Sequence, residues 1–298
     1  MSVLRNAGLS NFACVLFCMV WAVAGCGQSD EADVESSADA EQGVPESESP
    51  RRATSVAELR RKLGANDKAQ FATSMGEIYQ VKLYQSDVKD ISGLAGLKLR
   101  ELDLGGVPVS SIEVLKDMPL ENLILEDTQV ADLSVLQGMP LEELMLQNTK
   151  VTDLQPLAGM KLRKLNLMNT PVSNIEIVKT FPLNTLWIPG TQVTDLSPLA
   201  ALKLESLDIQ DTPVKDALVL RGMDSLRRLN IAGSEISDLR PLAGLQLQRL
   251  VFTPERITQG LDIVRAMTSL TELGTRFETR MPPAEFWKRM DAGTLQAP

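Results

Sequence analysis

Thiols and carboxylates are the residues of this chain whose type and spacing suit them to chemistry. The thiols are Cys14, Cys18 and Cys26, all in the first 26 of 298 residues. The carboxylates include a column, Asp90, Asp132, Asp153, Asp195, Asp216 and Asp238, that returns at near-constant intervals. Paired carboxylates can perform general acid–base chemistry. A carboxylate that recurs once per unit is expected instead to do the same local task each time, and Ser111 and Asn174, which are not acids, share the column. Asp, Asn and Ser accept the free N–H groups at the start of a helical turn, so the column is read as caps. His is absent and aromatic residues make up 4% of the chain. That removes Ser-His-Asp and Cys-His catalysis and His-ligated metal sites. With no Gly-rich phosphate loop and no metal-ligand cluster, neither an enzyme nor a cofactor nor a metal is expected.

The formal charge of −9 argues against a nucleic-acid binder, which would show a basic face. The acidity is concentrated. Residues 27–50 hold eight Asp and Glu and no Lys or Arg, whereas residues 51–298 carry 29 Lys and Arg against 31 Asp and Glu. The 27–53 stretch is almost free of large apolar groups and is read as a solvated tether that cannot offset its own ordering entropy. Before it, Arg5 precedes an apolar run from Phe12 to Ala22 that is too short for a comfortable membrane span. Val23-Ala24-Gly25-Cys26 follows and resembles the bacterial lipobox, in which a Cys is acylated and becomes the new N-terminus. The resemblance implies a signal peptide over 1–25, a lipid anchor on Cys26 and a tether over 26–54. It places the protein outside the cytoplasm on a bacterial membrane. Gly27, in place of the Asp that marks inner-membrane retention, favours the outer membrane.

The rest of the chain is periodic. Val81, Leu102, Leu123, Leu144, Leu165, Leu186, Leu207, Leu229 and Leu250 are spaced by 21 residues, once by 22, and seven residues after each stands Val or Ile. Alternating apolar residues around each anchor suit a strand with one face buried. A parallel strand requires a crossover, and this period leaves room for a single helical turn. The unit Leu141-Glu-Glu-Leu-Met-Leu-Gln-Asn-Thr-Lys-Val-Thr-Asp-Leu-Gln-Pro-Leu157 resembles the leucine-rich repeat in its short bacterial, internalin-like form. The resemblance covers about 77–275 and implies an α/β repeat solenoid, a leucine-rich-repeat horseshoe with a parallel concave sheet and short helical turns outside. The column Thr128, Thr149, Thr170, Thr191, Thr212 and Ser234 is expected to hydrogen-bond the backbone, taking the part of the family's Asn ladder.

Both ends need caps, since a bare end would expose core. Ser55-Val-Ala-Glu58 has capping-box spacing, so 55–64 is read as a helix within an N-terminal cap over 55–80. Repeats then occupy 81–275, and 276–298 form a C-terminal cap whose helix carries Phe286, Trp287 and Met290. On the strands, residues beside the buried anchors are expected to face solvent. Among them Ile124, Met145, Met168, Trp187 and Pro189 form a central apolar patch, flanked by Glu126, Gln147 and Arg228. Met and Trp suit recognition surfaces. The expected function is a non-enzymatic, membrane-anchored module that binds a protein or peptide on its concave face. A cell-envelope spacer without a specific ligand is the alternative. If Cys26 carries the anchor, Cys26→Ser should abolish incorporation of a labelled fatty acid, and continued labelling of the variant would refute the assignment.

Overall fold

A strand of three residues cannot hold itself together, so each unit depends on its neighbours. The computed structural model describes residues 54–295; Cys26 and the segments before residue 54 lie outside the described residues. Eleven strands form one sheet in sequence order: β1 (Gln70–Ser74), β2 (Glu77–Lys82), β3 (Glu101–Asp103), β4 (Asn122–Ile124), β5 (Glu143–Met145), β6 (Lys164–Asn166), β7 (Thr185–Trp187), β8 (Ser206–Asp208), β9 (Arg228–Asn230), β10 (Arg249–Val251) and β11 (Glu272–Gly274). From β2 onward all pairs are parallel, with the leucine anchors in register. The hydrogen-bond ladder runs past the strand ends, where Leu104 N donates to Ile124 O at 2.9 Å and Gly106 N to Glu126 O at 2.8 Å. This is a leucine-rich-repeat solenoid.

Alternation within each strand does what the pattern predicts. Leu144 and Leu146 are fully buried while Met145 between them faces the other way. The crossovers are 3₁₀ turns such as Gln155–Leu157, three residues long and often opened by Pro. The first eight receive their cap from the column of Asp, Ser and Asn, and the ninth, Pro254–Arg256, has no side-chain cap among the described residues. Asp132 and Asp153 Oδ1 accept the backbone N–H two residues on at 2.8 Å, and Asn174 does the same. At Asp90, Asp132 and Asp195 the amide and hydroxyl of the following Ser hold the carboxyl below the usual range. Their solvent exposure and their bonding to the turn make these acids caps.

The hydroxyl column behaves differently from a ladder. Thr128, Thr149, Thr170, Thr191, Thr212 and Ser234 are buried, and each donates to the carbonyl three residues earlier at 2.7–2.8 Å. These bonds stay inside one turn. The cross-turn bonding lies one position earlier, where backbone φ is positive: Asn148 donates to Asp127 at 2.7 Å and Asn169 to Asn148 at 2.8 Å. At Gly190 and Gly233 of this column the space is already filled. A Cβ on Gly233, at φ +69, would lie 1.9 Å from Asp211 Oδ1.

The ends are more elaborate than single helices. Helix α1 (Val56–Leu63) has Ser55 Oγ accepting Glu58 N at 3.2 Å, and it buries Leu59 and Leu63. The stretch between α1 and the repeats is a strand, β1, which pairs antiparallel with β2 and ends the parallel ladder. At the other end, a short helix α2 (Leu261–Arg265) precedes β11, which the periodic series did not include because it follows the last anchor by 23 residues. Helix α3 (Pro283–Asp291) then closes the core. Phe286 stacks 5.6 Å from Phe252, and Trp287 is buried against Phe286 with Arg265 over its ring at 4.7 Å. Leu165 is fully buried in a middle turn. Leu165→Ala should destabilise the protein by about 3 kcal/mol through the cavity it leaves, measured by urea denaturation; a loss under about 1 kcal/mol would contradict this packing.

Candidate binding face

The open face of the sheet carries three rows of side chains, set by the period-2 alternation that buries the leucines. In the middle row, Ile124, Met145, Asn166, Trp187 and Asp208 stand on successive strands in register. Met168 and Pro189 belong to the row just beyond the strand ends. Ile124 and Met145 are register neighbours in the middle row, and Met168 and Pro189 follow β6 and β7 in the outer row, but the buried Asn166 stands between Met145 and Trp187; all five apolar residues are half-buried rather than free in solvent. Parallel strands lie only about 4.8 Å apart, so neighbours in a row cover one another's flanks and leave their tips to solvent. Trp187 fills no core, because Leu186 and Ile188 on either side are the fully buried residues. Its Nε1 donates to Ser206 Oγ at 3.2 Å, which orients the ring.

The polar site residues take separate places. Gln147 Nε2 donates to Glu126 Oε2 at 3.0 Å, joining two of them beside the patch, while Gln147 Oε1 is buried with no partner among the described residues. Arg228 is exposed two strands beyond Trp187. At the β3–β5 end the face dips into a depression of about 160 Å³ lined by Glu101, Asp103, Ile124, Glu143 and Met145 among others. Among the described residues, no group of three or more His, Cys, Asp or Glu is placed to hold a metal ion, and no helix is long and apolar enough to cross a membrane.

One polar device escaped the sequence reading. Asp103, Asn166, Asp208 and Asn230, all in the middle row, fold back to accept the N–H of Gly105, Met168, Gln210 and Ala232 at 2.8–3.1 Å. Asp and Asn recurring immediately after an anchor were its visible signal. Burial pushes the Asp208 carboxyl up to about 6, against the lowering effect of bonds from Gln210 N and Asn230 Nδ2. Asp103 shifts upward for the same reason. An acid raised by folding binds its proton more tightly in the native state. Its contribution to stability is therefore fully present below the ordinary carboxylate value of 3.8 and lost as pH rises through about 6. The melting temperature of Asp208→Asn relative to the parent should accordingly climb as pH is raised from 4 to 7; a difference independent of pH would contradict the burial of this carboxylate.

No family model and no curated protein matches the chain. Among solved structures it is similar to internalin C2 of Listeria monocytogenes, with 27% identity, a TM-score of 0.57, and coverage of 65% of this chain and 90% of that one. It is also similar to an internalin, inlF, of the same organism, at 18% identity and a TM-score of 0.49 over 72% of this chain and 86% of that one. A functional domain of InlJ from Listeria monocytogenes that includes a cysteine ladder matches at 16% identity and a TM-score of 0.45, over 66% and 48%. The described residues thus form a leucine-rich-repeat solenoid whose structural neighbours are internalins.

Proposed function

We propose that the protein is a non-enzymatic recognition module, anchored to a membrane through Cys26, that binds a protein or peptide on the open sheet face. One observation carries this reading: Trp187 stands on that face, oriented by Ser206, while its chain neighbours alone fill the core. A large aromatic held there contributes nothing to core burial, and aromatic anchors dominate protein interfaces. An internalin-like repeat fold supports a protein-interaction role in general. The Cys26 anchor rests on the lipobox resemblance, and the acidic stretch after it supplies the reach between membrane and solenoid.

The test is affinity against folding. Partners captured by the 51–298 fragment from envelope extract are re-measured with Trp187→Ala, whose binding should weaken by about 2 kcal/mol or more while its melting temperature stays near that of the parent. A variant that binds normally refutes the open face as the interface, and one that unfolds shows Trp187 to be structural.

A further inference from the structure

Charge is distributed along the open face as a gradient. On β3–β5 and the residues just after them stand Glu101, Asp103, Glu126 and Glu143, opposed by Lys82 and by Lys164, whose Nζ lies 2.6 Å from Glu143. At the far end stand Arg228, Arg249, Arg276 and Arg280, opposed by Glu272 and Glu278. Glu272 accepts from both Arg249 and Arg280 at Oε2, at 2.5 and 2.9 Å. Arg228, in register beside Arg249, is exposed and makes no ion pair among the described residues. The apolar patch overlaps the acidic end at Ile124 and Met145 and runs from there toward the basic end, with Asp208 of β8, its carboxyl buried, before Arg228.

We infer that the face takes an extended peptide segment laid across the strands, with a basic residue over β3–β5, apolar residues over the patch and an acidic residue at Arg228. This rests on the open face being the binding surface and names the chemistry of what it binds. The depression at the acidic end suits a Lys or Arg side chain. Its stem would pack on Ile124 and Met145 and its cation would meet Glu101 and Asp103, beside Lys82 in the same depression and Glu143, which Lys164 already pairs. From β4 to β9 are five strand steps of about 4.8 Å, roughly 24 Å in all, which is the length of about seven extended residues. A segment of uniform charge would meet like charge at one end, which is how complementary surfaces reject wrong partners.

Four dye-labelled heptapeptides test this against the full chain by fluorescence anisotropy. They share a leucine-tyrosine-leucine centre and carry two arginines at one end and two glutamates at the other, arginines at both ends, glutamates at both ends, or glutamines at both ends. The mixed peptide should bind at least about five-fold tighter than the others at low salt, and its advantage should shrink at 0.5 M salt. Arg228→Glu should transfer the preference to the peptide with arginines at both ends. Equal binding of all four, weakened throughout by Trp187→Ala, would overturn the charge gradient but leave the face intact as the interface. Binding that ignores Trp187→Ala would overturn the face itself, and no binding by any peptide at millimolar concentration would overturn the inference.

Discussion

Everything in this molecule depends on one constraint: each turn must bring its leucine back beneath the leucine of the turn before, in register and with its backbone satisfied. A strand of three residues buries too little by itself to offset its conformational entropy. Stacked in register, Leu123, Leu144, Leu165 and Leu186 become a continuous column, all fully buried. The Asp caps, the 3₁₀ turns and the positive-φ corners are the local devices that make the chain return in step. The turns also add fully buried leucines such as Leu157 and Leu199 to that core, while the caps and corners add none. They shorten or turn the path so that the core residues meet.

The same constraint decides what the open face can be. Register fixes rows of side chains about one strand spacing apart, so a substitution on one turn always lies beside the equivalent position of two others. Trp187 is therefore framed by Asn166 and Asp208 whatever else changes, and the face acts as a two-dimensional lattice of positions. Recognition on such a lattice is a matter of which rows are apolar and which are charged. Asp103 and Asp208 show the price: carboxylates tucked back against the sheet to hold the backbone titrate with difficulty.

Most of the fold was legible because burial leaves a strong periodic mark. The Leu and Val columns and the Asp cap column were readable directly, since each position asks for one kind of side chain. The positive-φ column was not. Gln85, Gly106, Asp127, Asn148, Asn169, Gly190, Asp211 and Gly233 share neither charge nor hydrophobicity, only tolerance of a left-handed backbone. Strand β1 was hidden for another reason: Gln70–Ser74 has no alternation of its own and becomes a strand through pairing with β2. The half-burial of the patch was equally invisible, because it arises between turns. The residues proposed for binding were found from their row, whereas the fold-back bonds of Asp208 and Asn230 depend on side-chain orientations that spacing does not specify.

The hydroxyl column has a consequence for how such a chain can change over time. Each Thr satisfies itself on a carbonyl three residues back, so its bond begins and ends within a single turn. A family ladder that links turn to turn ties each unit to the identity of the next. Here the hydroxyls of this column are self-contained, so a whole 21-residue unit can be duplicated or lost without stranding one of them in its neighbours. The length of the solenoid, and with it the span of the open face, is thereby free to vary in whole-turn increments as the gene recombines.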